Sequence, residues 1–310
     1  MFKTNDLVIL KKIISHSDYI TCLCNLKNNK FASSSFDCSI KIYNIKNYKC
    51  ECIINAHQKY VMFLNQLKNE NILSCSCDKT LKIIKLKKNN EFEISQTLYG
   101  HKLTVSFAIE LNCEKIISYS KDLTMRIWVK DKKQNIYQCE CILSFIKERI
   151  FSIHEIINNK NENKVIIYSS NLFFLCLNEF LILKIIPLEQ PINNFNVICQ
   201  IENKFILCQK NSISIYDANF LIKINEIKID NKIVFISLLK NNTFFIQTEN
   251  GLLTLCKIEE DENDYEYVKI VKNYNLFTMY SFFLLQLTEN KFAISLINEY
   301  SILILENIIK

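Results

Sequence analysis

The chain has 310 residues, of which 49% are hydrophobic and 23% charged, a balance that suits one large globular domain with a substantial core. The net charge of +6 is spread among Asp and Glu with no Arg-rich run, which argues against a phosphate-gripping tract. Fourteen cysteines without a secretory leader, in a chain too large to need staples, read as small core hydrophobes of a reducing compartment, the cytosol or nucleus of a eukaryotic cell. No apolar stretch reaches the ~18 residues of a membrane helix, so no membrane span is expected.

Leu7 to Ile13 is a lone strand at the start of the chain. From there, three segments align without gaps. The first runs from His16 through Ser33 and Asp37 to Tyr43, and the second from His57 through Ser74 and Asp78 to Ile84. The third opens on Gly100-His101 and passes through Ser118 and Asp122 to Trp128. In each, His and Ser lie 17 apart, Ser and Asp 4 apart, and Asp and the terminal residue 6 apart. The histidines recur after 41 and 44 residues, the period of four-stranded propeller blades. Within the first unit, period-two runs at Ile20 to Leu26, Phe31 to Ser35 and Ser39 to Asn44 predict three strands, and Cys50 to Ile54 a fourth. The repeats extend over about 14–54, 55–98 and 99–143.

Beyond residue 143 the rhythm continues without the motif. A unit near Val165 to Leu177 follows a polar insertion at Asn158 to Lys164. Turn-then-strand units recur at Glu202-Asn203-Lys204-Phe205, Lys240-Asn241-Asn242-Thr243-Phe244 and Glu289-Asn290-Lys291-Phe292. Their third strands are expected to end at Tyr216-Asp217, Leu255 and Leu305. The acidic stretch Glu259 to Glu266 reads as a solvated loop. With only two glycines in the chain, the tight turns are expected to use Asn in the left-handed region. Seven units result, and pairing Leu7 to Ile13 with the last strands would remove two open edges. The expectation is an all-β fold, a seven-bladed β-propeller forming one domain over 1–310, with 144–310 as degenerate blades.

The three motifs resemble those of the WD-repeat family, whose blades carry a Gly-His pair, a Ser, an Asp and a Trp-Asp ending. The resemblance implies that His16, Ser33, Asp37 and Tyr43 form one hydrogen-bonded set. His57, Ser74 and Asp78 would form a second, and His101, Ser118, Asp122 and Trp128 a third. The second must be incomplete, because Ile84 has no donor. The resemblance also implies a non-catalytic scaffold or adaptor that holds other proteins, as a subunit of a complex. By position, the partner-binding side chains of its top face are Tyr19, Thr21 and Phe36, then Tyr60, Met62 and Cys77, then Thr104, Ser106 and Lys121. The fourth unit adds Arg149 and Phe151.

Chemistry at these residues reads as structural. Ser, His and Asp recur identically three times, whereas a catalytic triad occurs once at a unique site. The Cys-x-Cys pairs Cys22/Cys24, Cys50/Cys52, Cys75/Cys77 and Cys139/Cys141 lack the two- to four-residue spacers that zinc favours, so core packing is the reading. His154 has no neighbour in sequence to act with. No catalytic residue, metal or cofactor is expected, and nucleic acid is not an expected partner; a propeller enzyme and an RNA-binding propeller are the alternatives.

Overall fold

The computed structural model describes residues 7–131, 133–157, 164–188, 197–239, 243–260, 266–275, 283–296 and 299–307. They form strands and no helix, and every strand belongs to one of seven four-stranded sheets. In six sheets the strands follow one another in chain order as antiparallel meanders. Blade one comprises Ile20–Leu26, Lys30–Ser35, Ile40–Asn44 and Cys50–Ile54. Blade two comprises Val61–Gln66, Ile72–Ser76, Leu81–Leu86 and Phe92–Leu98. Blade three comprises Val105–Glu110, Ile116–Ser120, Met125–Asp131 and Ile136–Leu143. Blade four comprises Ser152–Ile156, Lys164–Tyr168, Asn171–Cys176 and Leu181–Pro187. Blade five comprises Ile198–Ile201, Lys204–Gln209, Ser212–Asp217 and Lys223–Lys228. Blade six comprises Ile233–Leu238, Thr243–Thr248, Leu252–Glu260 and Glu266–Asn275. Blade seven takes Leu284–Gln286, Lys291–Leu296 and Ser301–Asn307 from the end of the chain and its fourth strand, Leu7–Ile14, from the beginning. The fold is a seven-bladed β-propeller, and the lone N-terminal strand covers the edge of Ser301–Asn307 as its sequence required.

Two compact units divide the chain. One contains Ile9–Arg149 with Leu284–Leu305, hence blades one to three and most of blade seven; the other contains Ile150–Phe283, hence blades four to six. In the first unit, the first strand of blade one packs against the first strands of blades two and seven. Side chains cross these seams to satisfy the neighbour's backbone: the Thr21 hydroxyl donates to the Val61 carbonyl at 2.6 Å, and the Gln66 carbonyl oxygen accepts from the Lys27 N–H at 3.0 Å. The Gln96 amide makes a two-way link to the backbone of Tyr137, at 2.7 and 2.8 Å. In the second unit, Gln200 makes the same two-way link to Ile157.

The cores lie between sheets. Phe31, Tyr43, Phe174, Phe205 and Phe244 are all but sealed from solvent. Each such side chain contributes about 1.5–3 kcal/mol by burial, and one thin sheet cannot hide both of its faces alone. Two local irregularities recur with the blades. A bulge falls at the second residue of the first strand, displacing Thr21, Met62, Ser106 and Val234 from the ladder. Another falls where the third strand pairs with the fourth, at Tyr43, Ile84 and Trp128, and again at Leu175, Tyr216 and Cys256. The second bulge therefore outlives the motif, because blade-on-blade packing needs only an apolar side chain there. Blade five even keeps blade one's aromatic pair: Phe205 stacks on Tyr216 at 4.8 Å as Phe31 stacks on Tyr43 at 4.9 Å.

Several expectations need correction. The N-terminal strand runs one residue further, to Ile14. The third strand of blade six continues past Leu255 to Glu260, so the acidic stretch opens within a hairpin, where Glu259 accepts from Lys269 at 2.9 Å. Residues 261–265 of that stretch, 158–163 of the polar insertion, and Asn298 of the last predicted turn lie outside the described residues. Asn takes only part of the left-handed turn positions: Asn28, Asn29, Asn90 and Asn135 share them with Cys38, Lys79, Leu123 and Tyr300 among others. The hydrogen bonds of the turns hold these bulkier residues where glycine would sit without strain. Finally, Cys22, Cys52 and Cys75 are core residues, but Cys50 and Cys139 are exposed on fourth strands.

Candidate functional site: a relay beneath an aromatic face

In blade three the four motif residues form one continuous relay. The Trp128 indole N–H donates to Ser118 Oγ at 2.9 Å, Ser118 lies 2.9 Å from His101 Nε2, and His101 Nδ1 lies 3.1 Å from Asp122 Oδ2. Since Trp can only donate and the carboxylate only accept, the direction is set: Ser118 donates to Nε2 and Nδ1–H donates to Asp122. Blades one and two repeat the inner part, with His16 2.7 Å from both Ser33 and Asp37, and His57 2.7 Å from Ser74 and 2.8 Å from Asp78. The second relay stops at Ser74, because Ile84 has no group that could donate to its hydroxyl. In blade one Tyr43 does not simply replace Trp: its hydroxyl bonds Ser15 at 2.5 Å and is also held by Ser33.

The structure adds members to the relay. Ser39, Thr80 and Thr124 each donate a hydroxyl at 2.6 Å to the second carboxylate oxygen of the turn Asp. Ser35, Ser76 and Ser120 each accept from the Asp N–H and donate to a carbonyl at 3.1 Å. Lys41 donates to the carbonyl before His16, at Ser15, and Arg126 to that before His101, at Gly100. A Ser-x-Ser-x-Asp-x-Ser/Thr-x-Lys/Arg pattern in all three repeats carried this signal, and comparing the residues around Asp would have found it.

Electrostatics follow from burial. Burial holds the pKa of His16 and His101 below the ordinary value, against the pull of Asp37 and Asp122. Burial alone would raise the Asp122 carboxyl, but the Thr124 hydroxyl, the backbone N–H groups of Lys102 and Thr124, and His101 together hold it at about 2. Asp37 and Asp78 are lowered in the same way, against the same opposition from burial. His154 also titrates low because it is surrounded by protein; it sits in the first strand of blade four, 2.9 Å from Ser152 Oγ. A histidine with a lowered folded pKa stabilises fully above its unfolded value near ~6.5 and loses that contribution as pH falls. The lowered carboxylates stabilise above ~4 and lose theirs as pH falls toward the folded values. Denaturation midpoints are therefore expected to hold from neutral pH to ~6.5, decline below it as the histidines charge, and decline more steeply below ~4. A midpoint that stays level between those two limits would contradict the buried neutral histidines.

The turn that carries each relay also brings a face together. The residue before the turn Asp bonds the residue before the first strand, as Phe36 N–H to the Tyr19 carbonyl, Cys77 to Tyr60 and Lys121 to Thr104. Tyr19 and Tyr60 are 41% and 47% exposed, Lys121 and Arg149 are exposed, and Phe36, Met62, Cys77 and Thr104 are half-buried. The Phe36 ring stacks on Tyr60 at 4.6 Å and meets Tyr19 edge-on at 6.1 Å. Tyr19 in turn meets Tyr300 edge-on at 5.3 Å, which extends the row onto blade seven. Tyr300 escaped sequence reading because blade seven lacks the motif and only tertiary structure sets it beside blade one. Three residues assigned to this face are covered or already engaged. Ser106 and Phe151 are 7% and 8% exposed, and the half-buried Thr21 spends its hydroxyl on Val61 and Ser34. Position along the strand told which end these residues occupy, not how deeply the neighbouring blade covers them.

A family model described as WD domain, G-beta repeat matches residues 8–44 and 48–85. These two stretches are similar to WD repeats. Each matched stretch begins at one blade's fourth strand and ends in the third strand of the next, so each sequence repeat ties two neighbouring blades together. Blade three has the fullest relay although it lies beyond the matched residues. No curated protein matches the chain.

Proposed function

We propose that this WD-repeat propeller is a non-catalytic scaffold or adaptor that docks partner proteins on the face where the first strands of blades one to three begin, as a subunit of a cytosolic or nuclear complex. The row Tyr300–Tyr19–Phe36–Tyr60 carries this reading. Tyr and Phe supply large contact area at low entropic cost, and aromatic residues dominate the energetics of docking surfaces. Four rings in contact across three blades make one continuous patch rather than scattered exposed side chains. Met62, Cys77, Thr104, Lys121 and Arg149 would border it. Holding two partners on one rigid body makes their encounter intramolecular, which raises their effective concentration. The relays support a structural role over a hydrolytic one: Ser33, Ser74 and Ser118 have no exposed surface and present no nucleophile to a substrate.

Replacing Phe36 and Tyr60 together by Ala tests the docking face. The double variant is expected to melt within a few degrees of the parent, because its rings are partly in solvent, while capturing markedly less partner from the protein's own cells. Equal capture at equal fold would remove this face from the function.

A further inference from the structure

The charges around the aromatic row are unevenly placed. On blades two and three, the turns at this end expose Lys59, Lys79, Lys102 and Lys121. None of these ammonium groups is engaged by a carboxylate among the described residues, whereas the turn carboxylates Asp78 and Asp122 are held by His57 and His101. On the other side of the row, Asp18 receives the Tyr19 N–H at 2.7 Å and Glu299 pairs with Lys12. The face therefore runs from an aromatic strip to a group of exposed lysines that meet no carboxylate among the described residues. The ionised Asp78 and Asp122 lie recessed, their side chains 11% and 8% exposed.

Resting on the docking face proposed above, we infer that the partner element is an acidic protein segment. Its apolar or aromatic residue seats on Tyr19, Phe36 and Tyr60, and its Asp and Glu residues continue over blades two and three. Lysines alone would also attract a polyanion such as RNA or an anionic membrane. Two observations favour protein. Phe36 and Tyr60 stack on one another, which closes the space between them to an inserted base. The four cations of these turns are all Lys, which meets phosphate as a point charge, and Arg149 is the one planar fork among the residues assigned to this face. Exposed lysines would guide the encounter and make it sensitive to salt, while the rings supply short-range contact.

The test uses the full chain and a random peptide library displayed on phage. Selection on the immobilised protein is expected to enrich Asp- and Glu-rich sequences containing an apolar or aromatic residue. The enriched peptides are expected to bind the K59E/K79E/K102E/K121E variant at least about tenfold more weakly, the summed effect of several exposed pairs. A Lys→Gln version of the same variant, with less perturbation of the surface charge, should fall between the two. Enrichment of neutral or basic peptides that still lose binding in the Phe36→Ala, Tyr60→Ala variant would overturn the acidic partner and leave the docking face standing. Acidic peptides that ignore both rings but respond to the lysines would overturn the docking face itself. Tighter, lysine-dependent binding of poly(U) RNA or phosphatidylserine vesicles than of any selected peptide would overturn the assignment to protein.

Discussion

Trp128→Ala is expected to cost about 3–5 kcal/mol, the largest loss from any one side chain of the three relays. The indole is 3% exposed and belongs to the core between blades two and three, with Leu73, Ile83 and Val105. Truncation removes that packing and leaves a cavity that rigid sheets on both sides cannot collapse into. It also removes the donor that orients Ser118 toward His101. Trp128→Phe separates the two effects: it keeps most of the packing and gives up the hydrogen bond, for about 1–2 kcal/mol. Blade two supplies the natural comparison, since Ile84 fills the same place with full burial and no donor. Because Trp128 is the sole tryptophan, urea unfolding of these variants has to be followed by circular dichroism. A Trp128→Ala variant within ~1 kcal/mol of the parent would mean that the seam between blades two and three is not packed as described.

Asp122→Ala is expected to cost about 1–3 kcal/mol. Its carboxylate accepts from four donors, the Thr124 hydroxyl and N–H, the Lys102 N–H at 2.7 Å and His101 Nδ1. Alanine strands the His101 donor, whose side chain is sealed from solvent, and frees the turn that carries Lys121. The effect is cooperative: once Asp122 is gone, replacing His101 as well should cost less than it does alone. Additive losses in that double-mutant cycle, or a neutral single variant, would contradict the relay. Asp37→Ala and Asp78→Ala are expected to behave alike, since their blades repeat the geometry.

The three motifs were legible because the same residue types recur at fixed offsets in three copies, and their resemblance to WD repeats implied that each set is hydrogen-bonded. Ile84 could be read as a break in the second set for the same reason. Tyr43 was harder, since a phenol placed where an indole would be reaches past Ser33 to Ser15. Blades four to six were legible only as rhythm. Their seams need apolar volume and no special chemistry, so Leu175 and Cys256 occupy the bulge of Trp128 with no resemblance to it.

The candidate face divides in the same way. Tyr19, Phe36 and Tyr60 follow from their offsets to each relay, because the turn that fixes Asp also fixes the residue before it. Depth does not follow from offset, which is why Ser106 and Phe151 proved to be buried.

Sequence by itself determined the strand period, the number of units, the three repeated motifs and the need for the first strand to cover the last. Each of these depends on interactions between residues whose spacing is constant along the chain. Tertiary structure alone decided that Tyr300 joins Tyr19, that the rings form one row, and that four lysines beside it meet no carboxylate among the described residues. Those facts depend on which blades are neighbours and on how closely they approach, and a chain carries no local record of either.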